Sequence, residues 1–223
     1  MQMLNIDYMK RVICRRVFVS VIVFPLLLLV RLLYAQPIDD SLVSWSKYTG
    51  KSAFTIMVPS TVELRKPEDA YSQNSICYND DAIVFQQKGL SRFEGSAFKK
   101  YCRIMINYVK GDYGDYLKST ESEMVDIELK NILEQIVVSN IGTASQLMGQ
   151  ISYCWITVGG AKCLQIDYRR TGSNFDITIP VICRMAIFQN DNEMVIMTLA
   201  YREKEADLWK TDFDKVFKSF RWI

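Results

Sequence analysis

The chain has 223 residues, with 27 lysines and arginines, 25 aspartates and glutamates, and no histidine. The missing imidazole excludes Ser-His-Asp and Cys-His catalysis and histidine metal sites within this chain. An enzyme built on it would have to use carboxylates, lysine, tyrosine or cysteine. We therefore predict a non-enzymatic protein that needs no cofactor and no metal.

The first 35 residues are predicted to be a signal peptide. Four basic residues precede an apolar run over residues 17–30, and Ala35 is the small residue before the cleavage point. An uncleaved anchor is the alternative, but as a helix the run spans only about 21 Å, against about 30 Å of hydrocarbon. We therefore expect an exported protein, periplasmic or secreted, with no stable membrane span after cleavage.

Removing 35 of the 223 residues leaves 188, with 22 basic and 24 acidic residues. That length suits one domain with a substantial core. Residues 36–50 are predicted to be an N-terminal tether with an edge strand, and residues 51–223 a single α/β domain. The charge balance leaves no strong electrostatic case for nucleic acid or for an anionic membrane as a partner.

The predicted mature chain has an odd number of widely spaced cysteines. They are Cys77, Cys102, Cys154, Cys163 and Cys183. No CxxC occurs, which disfavours a zinc site or a redox motif. Most of the five lie in apolar runs, where cysteine behaves as a small hydrophobic residue. The sequence predicts buried thiols or one structural disulfide and leaves the pairing open.

Short strands are predicted in the first half of the chain. AFTIMVPS alternates so that Phe54, Ile56 and Val58 share a face. AIVFQQ is the next strand, and SRFEGSAFKKY is predicted to be a helical turn weakened by Gly95. YCRIMINYV is a clearer strand. Its residues on one face are Cys102, Ile104, Ile106 and Tyr108.

The stretch NYVKGDYGDYLKST, residues 107–120, has two interpretations. Its glycines suit a sharp exit from a strand, and Thr120 with Glu123 fits a capping box for a following helix. Its tyrosines are also common interface anchors. The candidate binding residues are Lys110, Asp112, Tyr113, Asp115 and Tyr116. The strand-to-helix turn is the favoured interpretation, and burial of Tyr113 and Asp115 within their own domain would remove the binding hypothesis.

Two elements of the second half are predicted from spacing and turn signals. Apolar residues at helical spacing predict a helix after Glu123 that ends near Asn140 and Gly142. ISYCWITVGGAKCLQIDYRR is a hairpin with a Gly-Gly turn. If Val158 opposes Ala161, then Cys154 and Cys163 are diagonal neighbours about 7–8 Å apart, beyond the usual range of a disulfide.

A second hairpin and a C-terminal helix complete the predicted elements. IPVICRMAIFQNDNEMVIMTLAYRE turns at QNDNE, and its strands are apolar on both faces, which predicts a sheet covered on both sides. The terminal helix has one stripe of core residues. These are Ala206, Trp209, Phe213, Val216, Phe217 and Phe220.

Two stretches carry a resemblance to a known family. AFTIMVPSTVELRK is similar to the opening strand of the PsbP-like family, and LWKTDFDKVFKSFRW is similar to its closing helix. The family also includes a Ran-binding nuclear transport factor and uncharacterised exported bacterial proteins. The resemblance implies an α/β (α+β) fold, a three-layer α/β/α sandwich around a mainly antiparallel sheet. It implies no catalytic residue, because the family shares no catalytic motif.

Three functions are weighed for the exported chain. The first is a non-catalytic binding or accessory module for a protein or polymer of the cell envelope, in an oligomeric state that the sequence leaves open. The second is a carrier of a small apolar ligand, which needs a cavity between sheet and helix. The third is a hydrolase using cysteine or paired carboxylates, for which Asp80 and Asp81 are adjacent acids but nothing selects a pair.

Overall fold

A computed structural model describes residues 43–65, 82–111, 126–141, 145–172 and 178–223. The predicted leader, Cys77, Asp80, Asp81, the capping box and residues 112–116 lie outside the described residues. The described strands are β1 Trp45–Gly50, β2 Phe54–Pro59, β3 Val62–Leu64, β4 Ile83–Gln87, β5 Cys102–Lys110, β6 Leu147–Val158, β7 Ala161–Arg170, β8 Val181–Gln189, β9 Glu193–Arg202 and β10 Arg221–Trp222. The helices are α1 Asp126–Ile141 and α2 Ala206–Lys218, with single 3-10 turns at Ala97–Lys99 and Glu203–Glu205.

Seven of these strands form one antiparallel sheet in the order β3-β4-β5-β9-β8-β7-β6. The Gly-Gly hairpin has the predicted register, with Val158 opposite Ala161 and Trp155 opposite Leu164. Both turn glycines have positive φ, 59° and 82°, as a tight hairpin turn requires. With two α-helices beside mainly antiparallel strands, the fold is α+β.

A second, three-stranded sheet, β1-β2-β10, was not expected from the sequence. Residues 45–50, predicted as tether and edge, form β1 and pair with β2 along its whole length. The end of the chain closes the other side, where Arg221 pairs with Thr55 and Trp222 with Phe54. The prediction of one sheet was therefore wrong, because pairing between the two ends of the domain leaves no local sequence signal. The unit that contains both sheets runs from Ser44 to Ile223.

One face of the seven-stranded sheet packs against α2 and the small sheet through aromatic residues. Trp209, Phe213, Val216 and Phe217 of α2 and Phe220 after it are all buried, which confirms the predicted stripe. The rings of Phe188 in β8 and Phe220 stack with centroids 3.7 Å apart. This face therefore holds the larger of the two core clusters.

The opposite face packs against α1 through aliphatic residues. Leu129, Leu133 and Val137 of the helix are buried against β6, β7 and β8. Residues of β8 alternate between the clusters, so that Met185 faces the α1 side and Ala186 the α2 side. The prediction of a sheet buried on both faces is confirmed for this central hairpin. No helix among the described residues is long and apolar enough to cross a membrane.

The four described cysteines are free thiols: Cys102, Cys154, Cys163 and Cys183. All but Cys154 are buried, as their apolar surroundings predict. Cys154 lies opposite Gln165, and Cys163 lies opposite Ile156, so the two cysteines occupy the predicted diagonal positions.

Candidate functional site

The loop between β4 and β5, residues 88–100, exposes two stacked phenylalanines, and we call it the aromatic loop. Phe93 is 56% exposed and Phe98 is 40% exposed. Their ring centroids lie 6.3 Å apart with an interplanar angle of 29°. Scattered exposed apolar residues are normal, but two neighbouring exposed aromatic rings form a patch.

The carboxylate of Glu63, on β3, holds the first turn of the aromatic loop. Its two oxygens accept hydrogen bonds from the backbone N–H of Gly89, at 3.0 Å, and of Ser91, at 2.8 Å. Partial burial raises the pKa of the Glu63 carboxyl, but these hydrogen bonds lower it more, so that the net pKa lies below its ordinary value. The ionised carboxylate is therefore the form that fits the loop.

Two glutamines at the end of β4 hold the rest of the loop. The amide of Gln87 donates to the carbonyls of Ala97, at 3.1 Å, and Lys100, at 2.7 Å. The amide of Gln86 donates to the Ser91 hydroxyl at 3.0 Å. Both glutamines are buried, so these bonds are shielded from competition with water. The loop is thus fixed by side chains of β3 and β4 at both of its ends.

The loop also carries backbone strain beneath its exposed ring. Phe93 has φ of 56°, in the left-handed region that an aromatic residue rarely adopts. Such strain costs on the order of 1–3 kcal/mol and persists only where the surroundings enforce it. Here Leu90 and Ala97 are buried and anchor the loop from inside. The strained conformation turns the Phe93 ring outward, beside Phe98.

The aromatic loop is rich in basic residues. It contains Lys88, Arg92, Lys99 and Lys100, against the single acidic residue Glu94. Lys88, Arg92 and Lys99 are exposed, and Lys100 is half-buried. Glu94 lies 3.0 Å from the guanidinium of Arg92. The loop therefore exposes two aromatic rings and an excess of positive charge.

Lys110, the one predicted binding residue that is described, lies at the other end of β5. It lines an open cleft of about 520 Å³ together with Gly111 and the tip of the β8–β9 hairpin, residues 190–193. The carboxylate of Glu193 there accepts hydrogen bonds from the Tyr108 hydroxyl, at 2.7 Å, and from the Asn190 amide, at 3.1 Å. These bonds lower the pKa of Glu193. These hydrogen bonds within the hairpin tip stabilise the turn. Binding by Lys110 and the four other predicted residues stays a prediction.

Three of the four described thiols are buried structural groups, and Cys154 is exposed. Burial raises the pKa of the Cys102 and Cys183 thiols, and it raises that of Cys163 to about 12, so these sulfurs stay protonated and unreactive. Asp167 and Asp214 both contact the guanidinium of Arg184, at 2.9 and 2.6 Å. These ion pairs link Asp214 of α2 to Arg184 and Asp167 of the sheet. Both carboxylates therefore have a structural partner within the protein.

The space between the seven-stranded sheet and α2 is filled by side chains. Phe220 stacks on Phe188 on one side and on Phe54, at 5.8 Å, on the other. All three rings are fully buried. The apolar residues on this sheet face therefore form a packed core. The carrier hypothesis instead requires a ligand cavity between sheet and helix.

Sequence analysis missed the aromatic loop as a site. SRFEGSAFKKY was predicted only as a helical turn, and the 3-10 turn Ala97–Lys99 lies within it. The available signal was composition, because each of the two phenylalanines adjoins a basic residue, Arg92 or Lys99, and the pair follows no core periodicity. In α2 the spacing of the aromatic residues matches the helical repeat and predicts their burial. The spacing of Phe93 and Phe98 matches no such repeat.

No protein-family model matches the chain, and no curated protein matches it. Among solved structures it is similar to the cyanobacterial PsbP of Synechocystis sp. PCC 6803, with 14% identity, a TM-score of 0.49, and coverage of 85% of this chain and 98% of that one. It is also similar to a Bacteroides thetaiotaomicron protein, with 11% identity, a TM-score of 0.41, and coverage of 79% and 48%. LpqN of Mycobacterium tuberculosis, described as involved in cell envelope biogenesis, has 9% identity, a TM-score of 0.36, and coverage of 83% and 94%.

Proposed function

We propose that the protein is an exported, non-catalytic binding or accessory module of the cell envelope. In this proposal residues 1–35 are removed on export, and the rest forms a PsbP-like domain with helices layered on both sides of its large sheet. The aromatic loop is its binding surface. The observation that carries the proposal is the stacked, exposed pair Phe93 and Phe98 on a loop fixed by Glu63 and Gln87.

Energetics support a binding role for the two rings. Phe93 and Phe98 bury less of their surface than the core phenylalanines do, and the positive φ of Phe93 opposes folding. A loop that is held rigidly by several polar side chains is preorganised, which reduces the entropy lost on binding. Aromatic anchors with a charged rim are common features of binding surfaces.

A second surface is kept as predicted from the sequence. It comprises Lys110, beside the hairpin-tip cleft, and Asp112, Tyr113, Asp115 and Tyr116. Lys110 lies at the opposite end of β5 from the aromatic loop, so a substitution at Lys110 leaves the loop in place. The carrier and hydrolase alternatives have no specific observation in their favour among the described residues.

The proposal is tested by retention on native envelope material. The full chain is expressed, the mature form that accumulates is purified, and its N-terminus is read by mass spectrometry. Its co-sedimentation with the envelope fraction of the same cells is compared with that of the double variant Phe93→Ser and Phe98→Ser. The matched control is Ile127→Ser with Val138→Ser, because these α1 residues are 66% and 55% exposed.

We expect the loop variant to lose most of the retention, while the α1 variant keeps that of the unmodified protein. Thermal unfolding of all three proteins checks that the substitutions leave the fold intact. Equal retention of the loop variant and the unmodified protein would remove the aromatic loop as the binding surface. An N-terminus that still contains residues 1–35 would contradict cleavage on export.

A further inference from the structure

We propose that the aromatic loop docks on the surface of an anionic phospholipid bilayer, with Phe93 and Phe98 entering the headgroup region and its basic residues binding lipid phosphates. This inference rests on the proposed function and names the partner of the same surface. It concerns reversible attachment of the folded domain and requires no membrane-spanning segment.

The first argument is the arrangement of apolar and charged groups. Aromatic and aliphatic side chains on one side of a basic segment are typical of elements that lie in the membrane interface. Phe93 and Phe98 supply the apolar side chains, and Lys88, Arg92 and Lys99 are exposed on the same loop. Basic groups at that depth meet the negative potential of the anionic headgroups.

The second argument is the state of the loop backbone. A peptide group that enters a bilayer without a hydrogen-bond partner is strongly disfavoured. Nine of the 13 residues from Lys88 to Lys100 donate their backbone N–H to an acceptor within the protein. They are Lys88, Gly89, Leu90, Ser91, Phe93, Glu94, Ala97, Lys99 and Lys100. If the loop enters the headgroup region, most of its backbone N–H groups therefore keep hydrogen-bond partners within the protein.

The third argument concerns the shape of the partner. The loop exposes its two rings and three cations, and its anchoring residues Leu90 and Ala97 are buried. Because these exposed groups lie within 12 residues of one loop, an extended anionic surface is a partner that can meet both kinds of group. The mature chain's net charge does not reveal this property, because it averages a loop of four basic residues and one acidic residue with a chain in which acids are in slight excess.

The test uses the mature form obtained from the full chain and vesicles of defined lipid. Sedimentation is measured with vesicles of phosphatidylcholine and with vesicles of phosphatidylcholine mixed with phosphatidylglycerol. One variant removes the rings, Phe93→Ser with Phe98→Ser. A second keeps the rings and removes the charge, Lys88→Gln, Arg92→Gln and Lys99→Gln. Its charge-matched control is Lys204→Gln, Lys210→Gln and Lys218→Gln, which removes three exposed lysines in or beside α2.

We expect binding to the mixed vesicles that weakens as salt is added, since the attraction of exposed charges is screened. Each loop cation should contribute roughly fivefold to affinity, so the charge variant should bind on the order of a hundredfold more weakly. The ring variant should lose about tenfold or more. The α2 control and the α1 double variant should stay within about twofold of the unmodified protein, a margin typical of surface substitutions away from a site.

Three results would overturn the inference. One is the absence of binding to phosphatidylglycerol vesicles, and another is equal binding to both vesicle types. The third is an equal loss in the loop variants and in their controls. If envelope retention needs the phenylalanines but pure lipid does not bind, the partner is a protein or polymer, and only this inference fails. If retention is independent of the loop, the proposed binding surface fails as well.

Discussion

Phenylalanine rings stack in two regions of this molecule, and the two stacks have opposite surroundings. Phe54, Phe188 and Phe220 are fully buried between the two sheets and α2. Phe93 and Phe98 stack with centroids 6.3 Å apart and are 56% and 40% exposed. Stability accounts for the first stack, because burial of apolar area is the main favourable term in folding. The second stack buries less of its surface than the first, and the exposed part is the surface that we propose for binding.

Substitution within the buried stack should have the largest effect. Phe188→Ala removes a fully buried ring that stacks at 3.7 Å, and it should lower the free energy of unfolding by about 3–5 kcal/mol. Phe98→Ala is the comparison and should cost less, about 1–2 kcal/mol, because the residue is only partly buried. Chemical denaturation of both variants measures the difference. Equal losses would mean that the two stacks have the same structural role.

Substitutions at the Gly-Gly turn test whether this turn packs against the C-terminal residues that follow α2. A Cβ on Gly159 would lie 2.3 Å from the carbonyl oxygen of Phe220, whereas a Cβ on Gly160 would meet nothing within 4 Å. Both residues have positive φ, so both alanine variants carry backbone strain of about 1–3 kcal/mol. Gly159→Ala should be the less stable of the two in thermal unfolding. Equal midpoints would show that the turn does not pack against the chain end.

The hydrogen bonds from the backbone of Gly89 and Ser91 to the Glu63 carboxylate, which hold the aromatic loop, should depend on pH. The pKa of Glu63 is lowered in the fold, so its carboxylate contributes stability that is present above the ordinary carboxyl pKa and is lost as the pH falls through the folded value. Glu63→Gln removes one charged acceptor and should cost about 1 kcal/mol at neutral pH. The difference in denaturation midpoint between the unmodified protein and Glu63→Gln should become smaller as the pH is lowered below the ordinary carboxyl pKa. A difference that is constant with pH would contradict a stabilising role for the ionised Glu63 carboxylate.

The smallest expected effect concerns strain at Phe93. Phe93→Gly relieves the cost of positive φ while it removes the ring, and Phe98→Gly removes a ring without that relief. We expect Phe93→Gly to be more stable than Phe98→Gly by about 1 kcal/mol, as measured by chemical denaturation. The reverse order would show that the Phe93 ring stabilises the loop more than its backbone strains it.

Local patterns predicted most of the secondary structure. Periodicity identified the stripe of α2, the inward face of β5 and the two hairpins, including the opposition of Val158 and Ala161. These features could be predicted because they depend on residues close in sequence. The predicted binding residues were chosen in the same way, from a loop rich in tyrosine and glycine, and of these Lys110 is the one that the structure describes, at the edge of an open cleft.

The sequence by itself determined that the chain lacks an imidazole, that its strands are mostly antiparallel, and that the central strands are apolar on both faces. Only the tertiary structure decided that the C-terminal β10 joins the β1–β2 hairpin in a separate sheet, because β10 and β2 pair residues more than 160 positions apart. It also decided which phenylalanines are exposed. That choice depends on Glu63, Gln86 and Gln87, which reach the aromatic loop from neighbouring strands and leave no periodic signal within the loop itself.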